Sequence, residues 1–241
     1  MGSGARPLGQ SKISTYGAPN PQTYHIFISH LHWDHLMGFP FFTPMYIPGN
    51  RIIIHGCHPQ IEAAFRLQMT APCFPVDYSQ AGAKIEFDIM TPGQTQYIAG
   101  LNVTPKLQLH AGDSYGYRFD SIERSVVYST DSEHKLESAE QHADFIKFFA
   151  KADLVIFDAM YSLAEAVSVK ADWGHSSNMV GVELCQAAQA KRLALFHHEP
   201  MHDDNQLSRL LAETRRLEEI TRDGHNPLEV ISAYDGLTVT L

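Results

Sequence analysis

The run His30-Leu31-His32-Trp33-Asp34-His35 places four potential metal ligands within six residues, directly after an apolar run that begins at His25. Imidazole and carboxylate groups at this spacing suit zinc or another divalent first-row ion. If the apolar run is a strand that ends in a tight loop, His30 and His32 turn to one side. Asp34 and His35 then begin the next turn and can face a second ion. A polar loop that happens to be rich in histidine is the alternative, but a cluster directly after a strand is more typical of a metal site.

Three further ligand-type residues, His110, Asp131 and His197, each lie where a predicted strand ends. A rigid sheet can hold ligands from distant parts of the chain in the geometry that a metal ion requires. Each of these residues alone is weak support, because a histidine at a strand terminus is often only a polar boundary residue. Together with the first cluster they make a complete inventory for two ions.

The elements that must position these residues are strands and helices that alternate irregularly, without repeats. The patterns predict strands at His25–Ser29, Arg51–Gly56, Lys84–Met90, Leu101–His110, Tyr115–Asp120, Ser125–Thr130, Asp153–Phe157, Arg192–Phe196 and Glu229–Leu241. They predict helices at Pro59–Thr70, Ser138–Lys151, Ser176–Ala190 and Asp203–Asp223. Loops are expected at Gly38–Gly49 and Pro72–Gly82. No shift in composition divides the chain, so one α/β (α+β) domain over residues 1–241 is expected.

Composition limits the classes of protein that fit. The chain has 241 residues, of which 44% are hydrophobic, enough for one well-formed core. A formal charge of -9 gives no general attraction to nucleic acid or to membranes. The cysteines, Cys57, Cys73 and Cys185, are sparse and form no CxxC pair, which suggests a reducing compartment. No apolar run resembles a membrane span or the core of a signal peptide, so a cytoplasmic location is expected.

The motifs resemble those of metallo-β-lactamase-fold metallo-hydrolases, because HLHWDH matches their HxHxDH motif and His110, Asp131 and His197 follow in the family's order. The closer likeness is to the phosphodiesterase branch, which includes the tRNA 3′-processing endonuclease Z and small cyclic-phosphate diesterases. That likeness lies in the segments GDSYGYRF (112–119), VVYSTDSEH (126–134), FDAMYS (157–162), WGHSS (173–177) and LFHHEP (195–200). The resemblance implies a four-layer αββα sandwich that lacks its first strands here, since Gly2–Gly9 resembles the loop after an early strand.

The same resemblance implies the ligand sets. One ion would be bound by His30, His32 and His110, the other by Asp34, His35 and His197, with Asp131 as the bridge. His198 is the rival to His197; the motif alignment favours His197, and strand alternation would turn His198 to the opposite face. Zinc is the expected metal, although Mn²⁺ and Fe²⁺ accept the same donors.

The chemistry implied is hydrolysis by a metal-bridging hydroxide. Two cations about 3.5–4 Å apart lower the pKa of a shared water and neutralise a phosphate oxygen. Asp34 would orient the hydroxide while it ligates. His175 would serve the leaving alkoxide, and Asp158 would hold that imidazole and keep it charged through a hydrogen bond. The alternative is that His175 caps the following helix and that Asp158 is an ordinary strand-end carboxylate.

Three functions fit this sequence. The leading one is a phosphodiesterase acting on a cyclic nucleotide or another small phosphodiester. The second is a tRNA 3′-processing endonuclease, which is less favoured because no basic, glycine-rich insertion is visible and the acidic balance gives little attraction to RNA. The third is a non-catalytic metal-binding or sensor module, against which the complete ligand set argues. A homodimer is possible, and no membrane partner is expected.

Overall fold

The computed structural model describes residues 1–17, 20–134, 139–161, 174–224 and 226–241. The chain divides into two compact units, Met1–Pro92 and Gly93–Leu241. Each unit has its own sheet and its own hydrophobic cluster. The single domain expected over residues 1–241 stays a prediction. None of the described helices is both long and apolar enough to cross a membrane.

The first unit is built on a parallel sheet of three strands in the order β1-β2-β3. Its elements are α1 (Ala5–Tyr16), β1 (Thr23–Ile28), α2 (Trp33–Leu36), β2 (Arg51–Gly56), α3 (Ile61–Leu67) and β3 (Lys84–Ile89). Short 3-10 helices lie at Phe39–Phe41, Thr43–Tyr46 and Tyr78–Gln80. Because side chains alternate along a strand, Ile52 and Ile54 of β2 share one face, and both are fully buried in a cluster with Phe39 and Phe65.

The second unit contains a seven-stranded mixed sheet in the order β10-β9-β8-β7-β6-β5-β4. Its strands are β4 (Gln96–Ile98), β5 (Leu101–Gln108), β6 (Ser114–Asp120), β7 (Ser125–Ser129), β8 (Leu154–Asp158), β9 (Arg192–Phe196) and β10 (Glu229–Ser232). Its helices are α4 (Ala139–Phe149), α5 (Asn178–Ala187) and α6 (Asp204–Thr221). Strands β4 to β7 pair antiparallel, whereas β7 to β10 pair parallel, so β7, β8 and β9 end at one edge of the sheet.

Two contacts hold α5 and α4 against this sheet. Gly181 lets α5 approach closely, because a Cβ there would lie 2.8 Å from the ring of Phe157. Arg118, in the Gly-Tyr-Arg part of β6, donates to the backbone oxygens of Phe148 (2.9 Å) and Ala150 (3.0 Å). Arg118 thus satisfies carbonyls at the end of α4, which have no partner within the helix.

Most predicted elements lie within two residues of the observed ones, with two corrections. Gly2–Gly9 was expected to be a loop, but helix α1 begins at Ala5. The last strand was expected to continue to Leu241, but it ends at Ser232. Beyond it the chain turns at Gly236, where φ is 93° and the Leu237 amide donates to the Tyr234 carbonyl at 3.1 Å. Ser138, at the start of one predicted helix, and Ser162 and Trp173, at the ends of two motif segments, lie outside the described residues.

Candidate metal centre

In the first unit, the end of β1 positions the HLHWDH cluster. His30 is buried and its Nδ1 lies 3.2 Å from the Ser29 hydroxyl, while its ring centroid lies 4.5 Å from that of His32 and 4.2 Å from that of His35. The backbone of His32 is still extended, and α2 begins directly after it. One turn therefore collects three imidazoles, with the exposed carboxylate of Asp34 beside His35, 3.1 Å from its Nε2.

In the second unit, His110 follows β5 and is oriented by a backbone oxygen. Its Nδ1 donates to the Gly174 carbonyl at 2.8 Å, and this fixes the tautomer whose Nε2 carries the lone pair for a metal. Gly174 has a φ of 80°, and a Cβ at that position would lie 2.5 Å from His110 Nδ1. Sequence reasoning singled out the Gly-His-Ser-Ser segment for its histidine and missed the role of this glycine.

Asp131 and His197 follow the parallel strands β7 and β9, and both have left-handed backbones with φ of 54°. A non-glycine residue in this region is uncommon, although Asp and His are among those that adopt it more readily. The turn brings Asp131 Oδ1 to 2.5 Å from His197 Nε2, and Thr130 Oγ1 donates to the other carboxylate oxygen. Asp131 is 2% exposed, so its charge is buried among these donors.

His175 lies against this group of side chains. Its ring centroid is 5.1 Å from that of His110 and 5.0 Å from that of His197. Its Nδ1 donates to Asp158 Oδ2 at 2.8 Å. Asp158 ends β8, is fully buried, and also accepts from the backbone amide of Met160 at 3.1 Å. A buried carboxylate thus fixes the direction in which the imidazole points.

The geometry bears on two alternatives from the sequence: that His175 caps the following helix, and that His198 rather than His197 lies at the site. The helix after His175 is capped by Ser177, whose side chain accepts from the Val180 amide at 3.5 Å. His198 turns away from Asp131: its Nε2 lies 3.3 Å from the Ala233 oxygen and 3.2 Å from the Ser232 hydroxyl, and burial lowers its pKa. The arrangement places His197, rather than His198, at the carboxylate.

The donor set fits divalent metal ions. Ligand atoms of His110, Asp131 and His175 in the second unit all lie within 4.8 Å of one another. They are imidazole nitrogens and carboxylate oxygens without a thiolate, a set that suits zinc and also manganese or iron. The backbone oxygen of Gly174 supplies the outer partner that metal-bound histidines usually have.

Comparisons with known proteins agree with this chemistry. The family model described as the beta-lactamase superfamily domain matches residues 9–198. The Ribonuclease Z of Exiguobacterium sibiricum is 26% identical over 88% of this chain and 79% of the relative. Among solved structures, the metallo-beta-lactamase fold protein YhfI from Bacillus subtilis has a TM-score of 0.69 at 20% identity, covering 98% of this chain and 83% of that one. Yeast PDE1 has a TM-score of 0.66 at 17% identity, covering 88% and 67%.

The chain therefore belongs to the beta-lactamase superfamily. The predicted α/β metallo-β-lactamase fold is confirmed, as is the resemblance to its phosphodiesterase and RNase Z branch. The protein is a metal-dependent hydrolase of this class.

Proposed function

We propose that this hydrolase acts on a small phosphodiester, with a cyclic nucleotide as the leading substrate, at a pair of divalent metal ions. The observation that carries the proposal lies in the second unit. There His175 is held by the buried carboxylate of Asp158 and lies against the imidazoles of His110 and His197. A histidine held in this way beside a group of metal-ligand side chains is suited to proton transfer, which an alkoxide leaving group needs.

The proposed ligand assignment follows the order of the motifs. One ion is held by His30, His32 and His110, the other by Asp34, His35 and His197, with Asp131 as the bridge. Zinc is the proposed metal, because imidazole and carboxylate donors suit it. Divalent ions supply water activation at neutral pH and Lewis acidity toward a phosphate oxygen.

The residues of the chain have separate tasks in this proposal. Asp34, whose side chain is 60% exposed, orients the attacking water. His175 Nε2 gives a proton to the leaving oxygen, while Asp158 keeps Nδ1 engaged and the ring in place. Orientation matters because a general acid must come within hydrogen-bond reach of the oxygen that it protonates.

Processing of precursor tRNA is the second candidate. The observation in its favour is the similarity to a curated Ribonuclease Z. The formal charge of -9 favours a small substrate, because RNA binding draws much of its affinity from contacts between basic side chains and phosphates. The cytoplasmic location and the homodimer remain predictions.

A substrate panel tests the proposal. Purified protein loaded with Zn²⁺, Mn²⁺ or Fe²⁺ is assayed with cyclic nucleotides, aryl phosphodiesters, a precursor tRNA, a β-lactam and a thiolester. We expect the small phosphodiesters to be hydrolysed best and a chelator to abolish their turnover. Efficient cleavage of precursor tRNA without turnover of small diesters would select the second candidate. Turnover of the β-lactam with no diesterase activity would overturn both candidates.

A further inference from the structure

A buried carboxamide links the segments that carry two of the proposed ligands in the second unit. Gln108 is the last residue of β5 and is 3% exposed. Its Nε2 donates to the Thr130 carbonyl at 2.8 Å and to the Ser114 hydroxyl at 3.3 Å, while its Oε1 accepts from the Ser129 hydroxyl at 2.5 Å. Since a carbonyl only accepts hydrogen bonds, the contact with Thr130 fixes which end of the amide is nitrogen.

The side chain reaches β7 by passing over β6. Strands β5 and β6 pair with Gln108 opposite Ser114, and the residue that the carboxamide crosses is Gly116. A Cβ at Gly116 would clash with Gln108 Oε1 and lie 3.0 Å from the backbone oxygen of Tyr128. Within the Gly-Asp-Ser-Tyr-Gly segment, Gly116 therefore leaves room for the carboxamide of Gln108, and Ser114 accepts a hydrogen bond from it.

The carboxamide acts on both proposed ligand segments. Gln108 precedes His110 by two residues, and its partner Thr130 directly precedes Asp131. The Thr130 carbonyl also accepts from the Ser114 hydroxyl at 3.3 Å, and the Thr130 hydroxyl donates to the Asp131 carboxylate. The left-handed backbone of Asp131 needs such support, because a residue held in that region persists only where its surroundings fix it.

We infer that Gln108 is a positioning residue of the metal site, which holds the His110 and Asp131 segments in register. This inference rests on the proposed function, since it takes both residues as metal ligands. Outer partners of metal ligands typically change metal affinity about 10–100-fold when they are removed. Gln108 contacts Thr130, Ser114 and Ser129 rather than the ligand side chains themselves, so we expect a loss at the lower end, about 10-fold, for Gln108→Met, which keeps a side chain of similar length but cannot make the three hydrogen bonds.

The matched control is Gln186→Met in α5. Gln186 is also a buried glutamine, 6% exposed. Its carboxamide donates to the backbone oxygen of Glu218 at 3.0 Å and accepts from the Thr221 hydroxyl at 3.2 Å. It belongs to none of the proposed ligand segments. Removing its amide should lower stability without changing metal affinity.

The experiment titrates each metal-stripped protein with Zn²⁺ against a chromophoric chelator, and records the visible absorption of the Co²⁺ form and the unfolding in urea. We expect weaker Zn²⁺ binding and an altered Co²⁺ spectrum for Gln108→Met only. Wild-type affinity and spectrum in Gln108→Met would overturn the inference. If that variant does not fold, Ser114→Ala and Ser129→Ala, which each remove one partner, decide it by the same readouts. A wild-type protein that binds no metal would instead overturn the proposed function, and the inference with it.

Discussion

Replacing His175 by alanine tests the proposed acid most directly, and the structure sets two separate magnitudes for it. If Nε2 protonates the leaving oxygen, turnover of a poor leaving group should fall about 10²–10⁴-fold, the usual contribution of a positioned acid. A nitrophenolate leaves without protonation, so its turnover should fall far less. The slope of rate against leaving-group pKa should therefore steepen in the variant.

The second magnitude concerns stability, because Asp158 is fully buried and loses its imidazole partner. Removing one member of a buried pair typically costs about 3–5 kcal/mol. The backbone amides of Met160 and Ser132, at 3.1 and 3.4 Å, still donate to the carboxylate, so we expect about 3 kcal/mol. The variant would then lose both activity and stability, and activity alone could not identify the cause.

The double variant His175→Ala, Asp158→Asn separates the two effects. Without the stranded charge, most of the lost stability should return, whereas turnover of poor leaving groups should stay low because the acid is still missing. Asp158→Asn alone should give a smaller defect of the same kind. Stability is measured by urea unfolding, and turnover with a series of alkyl and aryl phosphodiesters. Equal losses for good and poor leaving groups, or recovered turnover in the double variant, would refute the acid role.

Two further predictions concern other histidines. His197→Ala should lose metal while His198→Ala keeps it, because, of these two histidines, it is His197 whose Nε2 lies 2.5 Å from the Asp131 carboxylate, whereas His198 lies against Ala233; metal content after dialysis checks this, and the opposite result would exchange their assignments. Desolvation of the partly buried imidazole, with smaller effects from His142 and Lys106, lowers the pKa of His134 from 6.5 to about 3. Between those pH values His134 is protonated in the unfolded chain but neutral in the folded one. The free energy of unfolding should therefore decrease as pH falls from about 6.5 toward 3, by at most about 1.4 kcal/mol per pH unit from this residue. His134→Phe should remove that part of the slope in urea unfolding at several pH values, and an unchanged slope would contradict the burial argument.

Strands and helices with strong local signals were predicted well. Strands β2 and β9 match at both ends, because their apolar residues are continuous and a strand buried on both faces reads that way. Helix α6 was predicted from Asp203, whose side chain accepts from the Gln206 amide at 2.8 Å while Gln206 accepts from the Asp203 amide at 2.7 Å. A capping box of this kind is readable from the sequence.

Helix α1 could not be predicted in this way. It contains Pro7 and Gly9 and has no apolar stripe, so local propensity argues against it. Proline is tolerated in a first turn, and Gly9 allows contact with the Thr43–Pro44 segment, where a Cβ would lie 2.9 Å from the Pro44 ring. Tertiary packing, rather than pattern, accounts for this helix.

For the candidate site, the sequence indicated which residue types belong together but not which atoms meet. The side chains of His197 and His198 point in different directions, but the left-handed backbone at His197, rather than strand alternation, gives this arrangement. The carboxamide of Gln108 was not foreseen, because its partners on β6 and β7 meet it only after the sheet has formed. The cap at Ser177 is a local contact with the Val180 amide, and sequence reasoning missed it because it considered His175 instead.

The left-handed turns at Asp131 and His197 orient the side chains that follow β7 and β9 toward each other. A non-glycine residue at positive φ costs about 1–3 kcal/mol, and glycine would avoid that cost. Glycine at either position could not supply the side chain that the proposed ligand assignment requires. The turn takes each side chain out of the alternation of its strand and brings the carboxylate to the imidazole at 2.5 Å. Buried contacts such as those of Thr130 then hold the strained backbone, so part of the stability of the second unit is used to maintain the geometry of the site.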